Sequence, residues 1–320
     1  MASCNDLFKE FHGSIVLSSS KKDSLRTSRD QLRKDIKGYF KDVLKVNVPK
    51  NWGQGSYSMG TLINPANGGE YDIDDGVYLQ NLGSDPSKWK TPDTVHGWVY
   101  DAVKNRTKAT PTDKRTCIRV QYSEGYHVDL PIYAEAKGQW YLAEKGTAGW
   151  HPSDPKKLTD WFKQRIKDTD EQLRRVVCYM KAWADVTSSK KGKLPSGLVL
   201  TVLCADSYHQ WTDDDASVGG TLTGIRNNML SQRMVVNPVD PSENLYDRVT
   251  DEQHSRFQDC LKELHNDAQQ ALQTKSKKEA CKLWKKHFGD RFPCCDSIED
   301  NEIAIRTSAP ALLRNDARSA

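Results

Sequence analysis

The chain has 320 residues, of which 37% are apolar and 28% charged, and its formal net charge is +4. This length suits one large domain or two ordinary ones and excludes a small accessory module. No apolar run approaches the roughly 20 residues of a membrane span, and the opening MASCNDLFKEF lacks the apolar core of a signal peptide. These features indicate a cytoplasmic protein without a membrane partner, and the mild positive charge does not require a nucleic-acid partner.

The first half of the chain predicts alternating helix and sheet. Residues 24–44 carry apolar side chains at helical intervals and predict a long amphipathic helix, followed by a polar turn in VNVPKNWGQGS. Residues 71–79 alternate and predict a strand, and the TPD sequence at residues 91–93 predicts a helix start. Two further strands, residues 117–122 and 126–133, flank a Ser-Glu-Gly turn typical of a hairpin, and a short strand over 139–142 follows.

The second half of the chain is predicted to be mainly helical. Its helical segments are residues 158–186, 196–208, 217–231 and 251–287. We therefore expect an α/β (α+β) fold in which a mixed-sheet lobe, residues 1–150 with the long N-terminal helix, packs on a helical lobe, residues 151–295. Residues 296–320 are polar without an amphipathic face and are expected to form a flexible C-terminal tail.

Two carboxylates share one face of the first predicted strand. Side chains at i and i+2 of a strand point the same way, so Asp72 and Asp74 lie on one face. In YHVDLPIY, Asp129 alternates with apolar residues and joins the same patch if the two strands are neighbours. Three converging carboxylates repel one another and suit a pair of Mg²⁺ ions. Aspartates on exposed strand faces are also common without a metal, so the DID pattern alone leaves both interpretations open.

A Gly55-Ser56 turn precedes this strand, and backbone N–H groups at such a turn bind phosphate. The order GS, DID and then a single Asp resembles the polymerase beta superfamily of nucleotidyltransferases. The longer stretch GQGSYSMGTLINPANGGEYDIDDGVYL is similar to the bacterial cGAS/DncV-like nucleotidyltransferases (CD-NTases) of CBASS anti-phage systems. The same resemblance includes VVCYMKAWADV, KLPSGLVLTVL, VVNPVDPSENLYDRV and KLWKKHFGDRFP, so it extends from about residue 50 to residue 293.

This resemblance implies a nucleotidyltransferase fold, a site and a reaction. Asp72, Asp74 and Asp129 match the family's catalytic, metal-binding carboxylates, which hold two Mg²⁺ ions that Mn²⁺ can replace. The residues that match its nucleotide- and phosphate-binding positions are Gln54, Gly55, Ser56, Lys181 and Ser196. Nucleoside triphosphates, ATP among them, are then expected to condense in the cleft between the lobes. Pyrophosphate would be released, and the product would be a cyclic di- or trinucleotide second messenger for a separate effector.

Other interpretations remain open at this point. The chain could be a template-independent polymerase making linear oligonucleotides, as oligoadenylate synthase does, or a catalytically silent nucleotide-binding protein. Without the resemblance, Lys181 is better interpreted as a surface lysine and Ser196 as a helix N-cap. Some family members are regulated by partner proteins that act on the C-terminus, which makes the tail ending in Ser319-Ala320 a candidate site. A frayed terminus is the simpler interpretation.

Several polar and aromatic residues have plain structural interpretations. Asp75 is predicted to be a turn residue, while Tyr179 and Trp183 are predicted to lie in the core. His127 precedes Asp129 by two positions and shares its strand face, so it could contact a phosphate, but a surface histidine is the simpler interpretation. The acidic run at residues 213–215 is predicted to be a solvated loop or a helix cap.

The eight cysteines follow no framework spacing and are expected to be reduced thiols in a cytosolic chain. One group, Cys281, His287, Cys294 and Cys295, has the residue types of a zinc site. Its spacing fits no standard zinc motif, so we do not expect it to bind zinc.

Overall fold

The computed structural model describes residues 2–146 and 149–293. In chain order, its helices are α1 (Asn5–Ile15), α2 (Ser19–Gly38), α3 (Gly55–Met59), α4 (Pro92–Val103), α5 (Pro155–Asp168), α6 (Glu171–Lys191), α7 (Gly197–Asp206), α8 (Asp214–Ser231), α9 (Asp251–Gln273) and α10 (Lys277–Phe288). Its strands are β1 (Lys50–Gln54), β2 (Tyr71–Tyr78), β3 (Thr112–Asp113), β4 (Cys117–Tyr122), β5 (Tyr126–Ala136), β6 (Gln139–Glu144), β7 (Gly149–Pro152), β8 (Val236–Asn237) and β9 (Asp240–Asn244). Among these described residues, no helix combines the length and the apolar character of a membrane span.

The chain folds into two compact units. Of the described residues, the sheet unit contains those from Ile15 to Asp168 and from Val236 to Leu245. The helical unit contains residues 2–14, Thr169–Val235 and residues 246–293. The sequence suggests a single boundary near residue 150. In the structure α5 belongs to the sheet unit and α1 to the helical unit, so the chain passes between the units more than once.

The sheet unit is built on a seven-stranded mixed sheet in which β1, β2, β5, β4 and β3 lie side by side in that order. β2 and β5 are parallel, and the other neighbours are antiparallel. The later part of β5 also pairs with β6, and β6 pairs with β7. The mixed sheet confirms the predicted fold class, and β2 and β5 lie at its centre.

One face of this sheet is covered by α2 and α4. Both helices present an apolar stripe to the sheet, and its buried members are Leu25, Leu32, Ile36, Val95, Val99 and Val103. They pack on the strand residues of matching parity, which include Ile73 of β2 and Val128 of β5. Because strand side chains alternate, the residues between these apolar positions point to the opposite face of the sheet.

Five strands were not predicted from the sequence: β1, β3, β7, β8 and β9. Among them, β1 and the β8–β9 pair lie in segments for which another structure was expected. β1 occupies a segment predicted to be a polar turn, and that prediction is wrong: Lys50–Gln54 pairs along its length with β2. β8 and β9 form a small hairpin within a region predicted to be mainly helical. Both segments are polar, and backbone pairing with a neighbouring strand rather than apolar alternation accounts for their conformation.

The helical unit is organised around α6, where Tyr179 and Trp183 are buried, as predicted for core residues. Phe8 of α1 packs edge to face on Tyr179 and on Trp284, with ring centroids 5.0 Å apart in each case. Such aromatic contacts add about 0.5–1.5 kcal/mol each beyond the burial of apolar area. They explain why α1 belongs to this unit although its sequence neighbour α2 does not.

Two of the predicted long helices are divided in the structure. The segment at residues 158–186 separates into α5 and α6, and Asp170 begins α6 by accepting a hydrogen bond from the backbone N–H of Gln172. The segment at residues 251–287 separates into α9 and α10 in the same way, with Ser276 capping α10. In both cases a capping side chain starts the second helix.

Candidate active site

The face of the sheet opposite α2 and α4 carries a row of polar side chains. Parallel pairing sets Asp74 of β2 beside Asp129 of β5, and Asp72 beside His127. On the other side of β5, antiparallel pairing sets Arg119 of β4 beside Asp129. Neighbouring strands are about 4.8 Å apart, so these side chains form one patch. The structure therefore brings together the three carboxylates that the sequence singled out.

A group able to hold a metal lies within this patch. Asp72, His127 and Asp129 each offer one ligand atom, and these atoms all lie within 4.8 Å of one another. It is the single group of three or more potential ligands with such spacing among residues 2–146 and 149–293. Carboxylate oxygens are the ligands that Mg²⁺ prefers, so the donor set fits a divalent cation. Metal binding by Asp72, Asp74 and Asp129 stays a prediction.

Asp74 lies against the turn that begins α3. A Cβ atom on Gly55 would collide with a carboxyl oxygen of Asp74, and Gly55 has a φ of +67°, which side-chain-bearing residues rarely adopt. Only glycine meets both requirements without strain. The local chain path thus places the Gly55-Ser56 turn beside the second carboxylate of the DID sequence.

Arg119 makes a bidentate ion pair with Asp129. Its Nε and Nη2 donate to the two carboxylate oxygens at 2.7 and 2.6 Å, and these hydrogen bonds raise the pKa of Arg119. A carboxylate has about four acceptor sites, so Asp129 keeps lone pairs for a cation. Sequence reasoning missed Arg119; alternation in CIRVQY gives its face, but the strand beside it could not be identified from the sequence.

His127 is not the surface residue that the sequence suggested, and that prediction is wrong. The residue is buried, with 6% of its surface exposed, and Nδ1 lies 3.2 Å from Oε2 of Glu70. β5 is flanked by β2 on one side and β4 on the other, which explains the burial. The sequence shows that His127 and Asp129 share one face of the strand, but it does not show the two flanking strands that bury His127.

Gln54, predicted to bind phosphate, has its side chain held by two tyrosines. Nε2 donates to the Tyr133 hydroxyl at 3.0 Å, and the Tyr78 hydroxyl donates to Oε1 at 3.4 Å. Burial raises the pKa of both phenols, which therefore stay neutral. The amide of Gln54 fixes the end of β1, and Gln54 is also the N-cap residue of α3. Its predicted contact with phosphate is not tested by this arrangement.

Lys181 and Ser196 are neighbours within the helical unit. Ser196 is the N-cap of α7 and accepts a hydrogen bond from the N–H of Val199. The Lys181 side chain lies over Gly197, the first residue of α7: a Cβ on Gly197 would be 3.7 Å from the lysine Nζ. The two residues that the resemblance assigns to the triphosphate are thus adjacent, and Ser196 also has the capping role predicted as its alternative.

A caged lysine on the polar face was also missed by sequence reasoning. Nζ of Lys156, on α5, lies 4.2, 4.3 and 4.8 Å from the ring centroids of Trp52, Tyr78 and Trp140. Burial lowers the pKa of Lys156. Each cation–π contact contributes about 0.5–2 kcal/mol. This cluster fastens α5 to the same face of the sheet that carries the carboxylates.

Two predictions about acidic residues outside the site are corrected. Asp75 is a strand residue, not a turn residue, and its carboxylate is fully buried in an ion pair with Arg33 of α2. The acidic run at residues 213–215 does begin a helix, but Asp214 and Asp215 are fully buried, so the prediction of a solvated loop is wrong. Asp214 accepts a bidentate pair of hydrogen bonds from Arg175, which compensates its charge.

The cysteine predictions have mixed outcomes. Buried free thiols occur at Cys4, Cys117, Cys178, Cys204 and Cys260. Cys281 is disulfide-bonded, so the expectation of reduced thiols is wrong at that position. Cys294, Cys295 and the tail at 296–320 lie outside the described residues. Of the suggested zinc ligands, His287 has its Nε2 2.7 Å from Oδ2 of Asp267.

Comparison with known proteins identifies the family. Residues 49–133 match the model of the nucleotidyltransferase domain of DncV-like cyclic GMP-AMP synthases, and residues 170–301 match the model of the C-terminal domain of cyclic GMP-AMP synthase. The chain belongs to the bacterial DncV-like nucleotidyltransferases. Both matched segments contain the residues that carried the resemblance, since Asp72, Asp74 and Asp129 lie in the first and Lys181 and Ser196 in the second.

Named relatives of this DncV-like chain are cyclic-nucleotide synthases. A cyclic GMP-AMP synthase of Escherichia albertii is 31% identical over 255 residues, which is 75% of this chain and 56% of the relative. One from Vibrio cholerae is 25% identical over 326 residues, which is 82% of this chain and 70% of the relative. The match thus spans little more than half of the E. albertii protein.

Solved structures show the same fold. The crystal structure of V. cholerae DncV, a cyclic AMP-GMP synthase, has a TM-score of 0.77 at 21% identity and covers 92% of this chain and 98% of that chain. DncV in complex with the linear intermediate 5' pppA(3',5')pG has a TM-score of 0.74 at 22% identity, covering 90% and 98%. The mixed sheet and the helical part of the DncV-like chain therefore correspond to a known nucleotidyltransferase fold.

Proposed function

We propose that the chain condenses nucleoside triphosphates, ATP among them, into a cyclic di- or trinucleotide with release of pyrophosphate. The observation that carries this proposal is the convergence of Asp72 and Asp129 with His127 within 4.8 Å, on the sheet face where Asp74 meets the Gly55-Ser56 turn. Family membership supports the reaction class, because named relatives make cyclic GMP-AMP, c-di-GMP and cyclic AMP-AMP-AMP.

The proposed metal cofactor fits the residues present. Asp72, Asp74 and Asp129 would hold two divalent cations, Mg²⁺ or Mn²⁺, and the patch carries three carboxylates against the single guanidinium of Arg119. Bound there, the cations would lower the pKa of the attacking ribose hydroxyl and neutralise the triphosphate and the leaving pyrophosphate.

The chain's own residues would bind and orient the nucleotides. Backbone N–H groups of the Gly55-Ser56 turn and the Ser56 hydroxyl would donate to phosphate oxygens next to Asp74. Lys181 would place a compact positive charge on the triphosphate, with Ser196 as its hydroxyl partner. Arg119 would fix the plane of the Asp129 carboxylate through its two hydrogen bonds. These roles favour in-line attack by restricting both reactants.

Product analysis tests the reaction. The purified protein is incubated with mixed labelled nucleoside triphosphates and Mg²⁺ or Mn²⁺, and the products are treated with phosphatase before chromatography and mass spectrometry. The proposal predicts a phosphatase-resistant cyclic product and stoichiometric pyrophosphate. A linear oligonucleotide that loses terminal phosphates would identify a polymerase instead, and no turnover with all four nucleotides would identify a silent binding protein.

We also propose that the product is a second messenger in anti-phage (CBASS) defence and acts on a separate effector, with a partner protein that modifies the C-terminal tail. The family relationship supports this proposal. Co-expression with the neighbouring genes, followed by phage plating and mass spectrometry of the chain, tests it. We expect protection from phage together with a C-terminal adduct on the chain. Phage plaque numbers and a chain mass that both stay unchanged would contradict the proposal.

A further inference from the structure

His127 has the surroundings of a metal ligand. It lies on β5 in register with Asp72, and one of its ring nitrogens falls within 4.8 Å of carboxylate oxygens of both Asp72 and Asp129. Nδ1 is engaged by Glu70 at 3.2 Å. Among the described residues, none forms a hydrogen bond with the buried Nε2. The ring nitrogen that remains to bind a cation is therefore Nε2.

Glu70 fixes the tautomer of this imidazole. A carboxylate at Nδ1 accepts a hydrogen bond, so the Nδ1–H form is favoured and Nε2 carries a lone pair. Glu70 also accepts a longer hydrogen bond from Gln121 at 3.4 Å, which restrains its position. A metal-bound histidine characteristically donates its other ring N–H to a carboxylate in this way, and the carboxylate orients the ring and increases its basicity.

A buried acceptor without a partner is costly, by about 1–3 kcal/mol, and usually marks a site completed by something else. Because carboxylate oxygens of Asp72 and Asp129 lie within 4.8 Å of the imidazole, a positively charged partner is favoured. Two ligands on one ion with bonds of about 2.1 Å lie at most about 4.2 Å apart, so a small side-chain adjustment brings all three atoms onto one cation. A phosphate oxygen is a poor alternative because Asp72 and Asp129 would repel it.

We propose that His127, oriented by Glu70, is a direct ligand of the divalent cation held by Asp72 and Asp129, and that it biases this site toward first-row transition ions such as Mn²⁺ over Mg²⁺. Imidazole nitrogen suits transition ions, whereas Mg²⁺ is a hard cation that prefers oxygen ligands throughout. This inference rests on the proposed function in using the same two carboxylates, but it concerns binding and not turnover.

The test measures ion binding directly. Mn²⁺ and competing Mg²⁺ are titrated by electron paramagnetic resonance, with and without a non-hydrolysable ATP analogue, on wild-type protein and on His127→Gln, Glu70→Gln and His151→Gln. His151 is an exposed histidine of the same unit and serves as the matched control. We expect His127→Gln to bind Mn²⁺ at least about tenfold more weakly than wild type, while its Mg²⁺ affinity stays within about twofold. Glu70→Gln should also bind Mn²⁺ about tenfold more weakly. His151→Gln should match wild type.

Nitrogen coordination is measured by pulsed electron paramagnetic resonance. The sample is the Mn²⁺ complex of protein that carries ¹⁵N-labelled histidine. A coupling to one directly bound nitrogen is expected in wild type and in His151→Gln, and its loss in His127→Gln. An unchanged Mn²⁺/Mg²⁺ ratio in both His127→Gln and Glu70→Gln, or no nitrogen coupling in wild type, would overturn the proposal. Because Glu70 is exposed, its variant still decides the matter if His127→Gln fails to fold.

The binding data separate this inference from the proposed reaction. If Mn²⁺ couples to a histidine nitrogen but the protein forms no product from nucleotides, His127 is supported as a ligand and the proposed synthase activity is contradicted. Product formation by a protein without nitrogen coupling would keep the synthase and remove His127 as a ligand.

Discussion

Two Arg–Asp pairs on opposite faces of the same sheet have different surroundings. Asp75 of β2 points into the apolar core and is fully buried beside Arg33, which is 29% exposed. Asp129 of β5 points to the polar face, where Arg119 binds it bidentately at 2.7 and 2.6 Å. Both pairs have similar geometry, so the pair itself does not distinguish a structural group from a functional one.

The neighbours of each pair make the difference. Burial raises the pKa of Asp75, and the hydrogen bonds from Arg33 oppose this shift, as expected for one charge compensated by one partner in the core. Asp129 has Arg119 on one side but Asp74 and Asp72 on the other. The three carboxylates on the polar face exceed the one arginine beside them, so a bound cation would stabilise this face. In the core, Arg33 alone compensates the charge of Asp75. We therefore expect the first pair to control stability and the second to control chemistry.

The largest effect is expected for Asp72→Ala on the polar face. Loss of a carboxylate from the proposed cation site should lower pyrophosphate release by about 10³-fold or more, equivalent to about 4 kcal/mol of transition-state stabilisation. The melting temperature should hardly change, because Asp72 is not part of the core. Asp101→Ala, at an exposed site on α4, is the control and should keep wild-type rates. Comparable rates in Asp72→Ala and Asp101→Ala would contradict the proposed catalytic role of the polar-face carboxylates.

The next effect is expected for Asp75→Ala. Breaking a buried ion pair costs about 3–5 kcal/mol, and we expect the low end because Arg33 is partly exposed and can be hydrated. Differential scanning calorimetry of the whole protein should show a clear drop in melting temperature. Asp30→Ala removes the exposed carboxylate 3.9 Å from the same arginine and should cost less than about 0.5 kcal/mol. Equal melting temperatures for the two variants would contradict the structural role of Asp75.

Asp214 extends the contrast to the helical unit through pH. Burial tends to raise its pKa, but hydrogen bonds from Arg175, Gln172 and Tyr179 together hold the pKa below its ordinary value. A carboxylate with a lowered folded-state pKa contributes stability above its ordinary pKa near 4, and this contribution is lost as pH falls through the folded-state value.

Asp214→Asn should therefore be less stable than wild type at pH 7, by about 1–3 kcal/mol, with a gap that closes below about pH 4. Melting temperatures measured from pH 7 to pH 3 check this, with the exposed Asp259→Asn as control. A gap that stays constant over this range would show that charge on Asp214 does not contribute.

The smallest effect is expected for Arg119→Met. Removing the positive charge beside Asp129 should strengthen Mn²⁺ binding in the absence of nucleotide by about threefold. In solvated surroundings, repulsion between a guanidinium and a cation a few ångströms away weakens binding by about 1 kcal/mol or less. The exposed Arg26→Met is the control. Weaker Mn²⁺ binding in Arg119→Met would mean that orientation of the Asp129 carboxylate by Arg119 outweighs its competition with the cation, contrary to this prediction.

The sequence was sufficient for the part of the site that depends on local periodicity. Alternation in DID and in YHVDLPIY gave the shared faces of Asp72, Asp74 and Asp129, and the turn residues placed Gly55 beside them. Their convergence needed one further fact, the parallel pairing of β2 with β5, which no local pattern contains.

The remaining features depend on contacts between distant residues. Arg119 and His127 belong to the site because β4 and β2 flank β5. Asp75 follows two aspartates and resembles a turn residue until Arg33, 42 positions earlier, is brought to it by α2. β1 was missed because Pro49 and Gly53 mark a turn in isolation, and only pairing with β2 makes the segment a strand.

An anomalous-scattering experiment tests the central claim most directly. A crystal grown with Mn²⁺ and a non-hydrolysable nucleoside triphosphate is measured at the manganese absorption edge. We predict an anomalous peak about 2.2 Å from carboxylate oxygens of both Asp72 and Asp129, next to the triphosphate. A triphosphate bound in the crystal with no anomalous peak at these two carboxylates would contradict the account.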